Sequence, residues 1–278
     1  MAITVEDIKK LREMTGAGMM VCKEALSQTG GNVEQAMEYL RKKGMASAEK
    51  KAGRATGDGL VAIAASPDGR TAAMAELNCE TDFVAKTDQF QALAQVFAQW
   101  ALGQDQPAVG PDDLPQDKAD LIKQTIATIG ENILFKRAVR LAGTGVIEGY
   151  LHLGSKLGVL VELDGPDQPG LKALGRELAM QVAASSPVVV SRGEVQPAMV
   201  EKEKEIYREQ LRGSGKPEQV IEKIVTGKLD KYYSEVCLLE QPFVKDPQRT
   251  VDALIKEHAA KLGGPVTVKR FVRYRLGE

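Results

Sequence analysis

The sequence predicts an α+β protein: a small three-helix bundle, then a duplicated α+β core with antiparallel sheets and a helical hairpin inserted in its second copy. Three observations carry that reading. The first 45 or so residues hold three capped apolar repeats of helical spacing. Strand-like runs flanked by turn residues begin after Gly57-Asp58-Gly59. Short segments then recur along the chain at fixed offsets.

In the first segment, Thr4 stands where a helix cap is needed, with Asp7 three residues on, and Val5, Ile8 and Leu11 follow at helical spacing. Gly16 and Gly18 break this helix. Val21, Cys22, Ala25 and Leu26 mark a second, ended by Gly30-Gly31. Asn32 caps a third, with Gln35 at the matching position and Val33, Ala36, Met37 and Leu40 on one face; Gly44 is expected to close it. Three helices of this size resemble a ubiquitin-associated (UBA-like) domain. Residues 41–54 are basic and alanine-rich, which fits a partly helical linker better than a nucleic-acid patch.

Leu60 to Ala65 and Thr71 to Cys79 flank Ser66-Pro67-Asp68-Gly69-Arg70, a hairpin connection rich in turn formers. Phe90, Leu93, Ala94 and Phe97 mark a helix, Lys118 to Ile129 another, and Ile133 to Leu141 a strand. The plan then repeats. Gly145-Val146-Ile147 echoes Gly59-Leu60-Val61, and Glu162-Leu163 echoes Glu76-Leu77, each 86 positions on. FKRAVR at 135–140 resembles VKRFVR at 268–273, 133 positions on, so 47 further residues lie inside the second copy. Two charged helical patterns separated by Gly213-Ser214-Gly215-Lys216-Pro217 supply them. The expected division is residues 1–54 (bundle and linker), 55–142 (first core unit) and 143–278 (second core unit, with the hairpin at about 195–236).

Composition excludes several function classes. The 37 Lys and Arg nearly cancel the 38 Asp and Glu, so no global field marks a binder of nucleic acid or membranes. No apolar run approaches the ~18 residues of a membrane span, and the N-terminus lacks a basic-then-apolar leader pattern. Cys22, Cys79 and Cys237 are scattered, which suits free thiols in a reducing, cytoplasmic compartment. Two histidines, His152 and His258, without an acidic or cysteine cluster around them give no metal site, and no cofactor is expected. The run Gly213-Ser214-Gly215-Lys216-Pro217-Glu218 is not a phosphate loop. Gln210 occupies the first glycine position, and Pro217 replaces the hydroxyl residue that would hold magnesium.

Two stretches, MTGAGMMVCKEAL (14–26) and ELNCETDFVAK (76–86), closely resemble signature segments of the bacterial elongation factor Ts family. The similarity continues in order through TIGENI (128–133), HLGSKLGVLVEL (152–163), LAMQVAAS (178–185), the hairpin residues 214–236 and QPFVKDP (241–247), so it covers nearly the whole chain. It departs at Val21, where the family often carries aspartate. The chain also stops at Glu278, where some members continue into a further helix, so a smaller partner interface is expected.

The resemblance implies a guanine nucleotide exchange factor, not an enzyme. Such a factor binds elongation factor Tu carrying GDP, displaces magnesium and promotes GDP release during translation elongation. It implies that Thr81, Asp82, Phe83 and Val84 form the magnesium-displacing tip. Read from the residues alone, Phe83 and Val84 fit better as seeds of the core beneath the following helix; the resemblance reverses this for Asp82 and Phe83. It further implies that Met19, Met20, Val21 and Lys23 face the partner's nucleotide domain. Ile129, Gly130 and His152 would lie on the core's partner-facing side, and Val244 would reach a more distant domain; His152 reads as well as a structural histidine. Self-association through the hairpin, as in some members, is open. The basic pairs Lys136-Arg137 and Lys269-Arg270 suggest the rival reading, an RNA-binding module.

Overall fold

A computed structural model describes residues 3–278, with the backbone alone at Ser47 and Leu153. Helices α1 (Val5–Thr15), α2 (Met19–Gln28) and α3 (Val33–Lys51) form the N-terminal bundle around Ile8, Leu11, Cys22, Ala25, Leu26 and Ala36. Its caps are those expected. The Thr4 hydroxyl accepts from the Asp7 amide while the Asp7 carboxylate accepts from the Thr4 amide, and Asn32 accepts from the Gln35 amide. One boundary differs. Gly44 does not close α3; the helix runs on through the expected linker to Lys51. A mid-helix glycine costs about 1 kcal/mol relative to alanine, and here it is tolerated because α3 crosses another helix at that point.

The core begins with β1 (Asp58–Ala65), β2 (Thr71–Cys79), a one-turn helix α4 (Asp82–Ala85), α5 (Asp88–Leu102), β3 (Ala108–Val109), α6 (Gln116–Ile129) and β4 (Ile133–Ala142). The strands form an antiparallel sheet in the order β1-β2-β4-β3. Then come β5 (Val146–Leu151), β6 (Leu157–Asp164), α7 (Pro169–Ser185), α8 (Pro197–Leu211), α9 (Glu218–Val236), β7 (Pro242–Phe243), β8 (Asp246–Thr250), α10 (Val251–Leu262) and β9 (Thr267–Arg275). A second antiparallel sheet runs β5-β6-β9.

The two sheets face each other across Val61, Ala72, Met74, Val139, Leu141, Ile147 and Leu160, and helices cover their outer faces. β2 and β6 are therefore buried on both sides, which is why they read as nearly continuous apolar runs. Alternation still sorts their side chains. Ala73, Ala75 and Leu77 point to the helical layer of the first unit, and Val159, Val161 and Leu163 to that of the second. Met74 and Leu160 point between the sheets.

The repeat extends to single hydrogen bonds. Opposite the same step of each central strand, Glu76/Leu77 and Glu162/Leu163, each 86 apart, the partner strand bulges by one residue, Lys136 in β4 and Lys269 in β9. The bulge aims Arg137 Nε at Glu76 (2.7 Å) and Arg270 Nε at Glu162 (2.6 Å). Each arginine then crosses to the other unit: Arg137 Nη2 donates to the Arg275 carbonyl (3.3 Å) and Arg270 Nη2 to the Ala142 carbonyl (3.0 Å). Ala142 and Arg275 are themselves 133 apart, as are Arg137 and Arg270, so the brace is reciprocal. These are the arginines of the two basic pairs, Lys136-Arg137 and Lys269-Arg270, that suggested an RNA surface. Both guanidiniums are already engaged with carboxylates, which weakens that rival reading.

The hairpin α8–α9 projects from the second unit and is held together by its own contacts. Arg208 makes a two-pronged bond to Glu222 (2.7 and 3.0 Å), and Lys228 donates to Gln210 (2.6 Å). Residues 213–217 form the turn, with left-handed Gly213 and Gly215. The base is tied to the core: Arg192 pairs with Glu240 and Asp230, and Gln241 Nε2 donates to the Glu235 carbonyl (2.8 Å). No residue of 197–236 belongs to either of the two main core clusters. Replacing only the outer part, residues 200–228, by a short Gly/Ser linker should therefore leave a cooperative thermal melt. Loss of that transition in circular dichroism would overturn the independence of the hairpin.

Candidate functional site

The candidate site is the corner where β2 ends. Thr81 leaves the strand and caps α4, its hydroxyl accepting from the Val84 amide (3.4 Å). The tip is thus a helical turn. Four residues of helix cannot hold themselves, and neighbours supply the support. Glu131 grips Thr81 twice: the Thr81 amide donates to Oε2 (3.0 Å) and its hydroxyl to Oε1 (2.7 Å). In return, the Asn132 amide donates to Glu80 (2.7 Å), and the buried Asn132 side chain donates to the Arg54 carbonyl (2.9 Å). The tip, the α6–β4 turn and the end of the α3 linker are clasped together.

On this base Phe83 points outward with 79% of its surface exposed. Val84 is partly buried against the core and Ala85 is buried, so the four-residue segment divides between solvent and core. Asp82 accepts from Lys86 (2.6 Å), and that hydrogen bond holds its carboxyl below the usual carboxylate range. Glu80 is likewise lowered, chiefly by the Asn132 amide. Both are anions at neutral pH. The buried Cys79 thiol beneath them is pushed up to about 12, first by desolvation and then by the nearby Glu131 and Asp58 carboxylates, so it stays a neutral thiol.

A recess of about 270 Å³ lies beside α4, lined by Leu60, Ala62 and Leu151 with the charged ends of Asp82, Lys86 and Lys156 at its mouth. Leu151, Gly154, Ser155 and Lys156 line one wall, and His152 belongs to the same segment. His152 is exposed, with Nδ1 3.0 Å from the Tyr150 hydroxyl. Ile129 packs partly on the first core, and Gly130 is the left-handed cap of α6, so both immediately precede the clasping Glu131.

Two groups stand apart from this corner. Met19, Met20, Val21 and Lys23 are exposed on the first turns of α2, with Met20 74% exposed. Val244 is exposed between β7 and β8. Its amide donates to buried Gln181 (2.7 Å), which also bonds Gln241 (3.1 Å), so this tip too is fixed from inside. Sequence reasoning missed Glu80, Glu131, Asn132 and Gln181 as supports. Each lies within or beside a segment already singled out, but nothing local marks its bond, because the partner sits 50 or more residues away.

The comparisons agree along the chain. The family profile described as Elongation factor TS matches residues 80–278, and the UBA/TS-N domain profile matches residues 6–40. The chain is 49% identical to elongation factor Ts of Prosthecochloris aestuarii, covering 99% of each protein. It is 46% identical to that of Alkalilimnicola ehrlichii and 42% to that of Halothermothrix orenii, in both cases over 100% of this chain and 93% of the relative. With over half its length matched by one profile and near-complete coverage of relatives at this identity, the chain belongs to the elongation factor Ts family.

Proposed function

We propose that this protein is a guanine nucleotide exchange factor: it binds elongation factor Tu carrying GDP, loosens the magnesium ion and speeds GDP release. The observation that carries this reading is Phe83, a large apolar side chain held out in water on a turn that two other segments brace. Leaving such a ring exposed gains nothing for the free protein, whereas a stiff apolar wedge can enter a partner without ordering itself first. Asp82 sits beside it as an anion. Its pairing with Lys86 is exposed and weak, so the carboxylate is free to engage donors around the partner's metal. No covalent step is involved.

The work is distributed. Burying one phenylalanine yields about 2–3 kcal/mol, and each tenfold acceleration needs about 1.4 kcal/mol. The wedge therefore accounts for about a hundredfold at most, and the α2 surface, the His152 wall and Val244 supply the remainder by holding the nucleotide-free partner. By linkage, GDP or GTP binding expels the factor to the same degree that the factor expels nucleotide.

Release of labelled GDP from elongation factor Tu tests the reading: substoichiometric protein should accelerate it, and no effect at stoichiometric excess would sink it. The metal role has its own check. Asp82→Ala should slow release in the presence of magnesium, and the defect should shrink when magnesium is removed by chelator, since the step that Asp82 assists is then already complete. A defect of equal size in both conditions would remove Asp82 from the metal step.

A further inference from the structure

The N-terminal bundle and the tip are the two most exposed apolar features on the first half of the chain, at Met20 and Phe83. What sets the distance between them is a single helix crossing. α3 leaves the bundle and packs along α6. At the crossing Gly44 is buried, and a methyl group on it would come within 2.6 Å of the Ala127 Cβ. No real pair of methyl carbons approaches so closely, and neither side chain has a flexible end to swing away. Gly44 has no left-handed backbone to excuse it, so its reason is space. Further along α3, Ala48 is seated in the first core, whereas on the bundle's side of the crossing the junction opens. A groove of about 450 Å³ separates the end of α1, at Met14 and Thr15, from α6, at Gln124 and Thr128. The bundle's seat is thus narrow, and the crossing dominates it.

α6 also ends at Gly130, directly before Glu131 and Asn132, which hold the tip. One helix therefore carries the bundle on its side and the tip's clasp at its end. We propose that the Gly44–Ala127 contact fixes the span between the α2 surface and the Phe83 tip, and that these two small residues are positioning residues for nucleotide exchange. The proposal rests on the exchange reading given above. Thickening the contact lifts the bundle away from α6. The tip keeps its own support, because Glu131 holds Thr81 and the Asn132 amide holds Glu80, both from the turn before β4. Binding to the partner should weaken while the step at the nucleotide is retained.

The experiment is steady-state GDP release from elongation factor Tu with the full chain, reading KM for the Tu–GDP complex apart from the saturated rate. Gly44→Ala should raise KM about fivefold or more, the effect of losing about 1 kcal/mol of binding, with the saturated rate within about twofold of the parent. Adding Ala127→Gly should restore KM, since it returns the missing space from the opposite helix. Ala127→Val, crowding Gly44 from that helix, should raise KM in the same way and serves if Gly44→Ala does not fold. An unchanged KM in the folded single variants, a fall in the saturated rate instead, or a KM that Ala127→Gly leaves raised would each overturn the proposal. The parent protein run alongside separates the two claims. If it fails to accelerate release, the exchange reading itself falls; if it is active and Gly44→Ala matches it, only the positioning role falls.

Discussion

Phe83→Ala should slow GDP release from elongation factor Tu by about thirty- to a hundredfold, the range set by removing about 2–3 kcal/mol of apolar contact with the partner. The same substitution should leave this protein's own stability within about 0.5 kcal/mol, the usual size of a surface change. The ring is 79% exposed, so almost none of its area is withdrawn from water on folding. Its neighbours make the contrast sharp. Phe90 and Phe97, a few residues on, are fully buried in the first core, and truncating either should cost about 3–5 kcal/mol. Thermal melts of Phe83→Ala and Phe90→Ala beside release assays would therefore separate a tip residue from a core residue of the same kind. A Phe83→Ala protein that melts well below the parent, or one that keeps full exchange activity, would count against the wedge.

Arg137→Met should cost about 3–5 kcal/mol of stability, because it strands a buried carboxylate. Glu76 is fully buried between the sheets; its Oε2 depends on Arg137, and its Oε1 has no protein partner. Arg137 also stacks on Tyr274 of the second unit, 4.1 Å from guanidinium to ring centre, and bonds the Arg275 carbonyl. Losing it removes a brace between the units as well as a countercharge. Replacing Glu76 and Arg137 together by methionine should recover most of the loss, as volume-matched apolar exchanges of buried ion pairs often do. The equivalent Arg270→Met is a built-in comparison. Its side chain is 47% exposed, so water can take over part of its role at Glu162, and the cost should be nearer about 1–2 kcal/mol. Denaturant titrations of the three proteins test this order, and equal losses for Arg137→Met and Arg270→Met would show that the access of water to the arginine's place is not what matters.

Much of this architecture was readable before any coordinates, because it depends on interactions a few residues long or on repetition. The Thr4 and Asn32 caps bond amides three positions away. The β1–β2 hairpin follows from turn formers between two apolar runs. The duplication was written in offsets of 86 and 133, and the same offsets relate the bulges and the paired arginines. The family resemblance pointed to the segment 81–84, and that segment does leave the core at Phe83.

Other features depended on what a distant element brought alongside. Gly44 carries the local mark of a helix end, yet α3 continues through it, because the competing demand is close approach to Ala127, 83 positions away. Lys136-Arg137 and Lys269-Arg270 look like a basic surface in one dimension; the bulges turn each arginine onto a carboxylate from another strand. Read from its sequence neighbours alone, Phe83 fits the core better than solvent, and α4 is too short to have a face that says otherwise. Tertiary structure decided it by clasping Thr81 to Glu131 across 50 residues, a hydrogen-bond geometry that no local pattern encodes. The sequence by itself thus determined the elements, their order and their repetition, through capping, periodicity and turn chemistry. Which glycine ends a helix, which charges are neutralised and which aromatic ring stays in solvent were decided only when separate elements packed together.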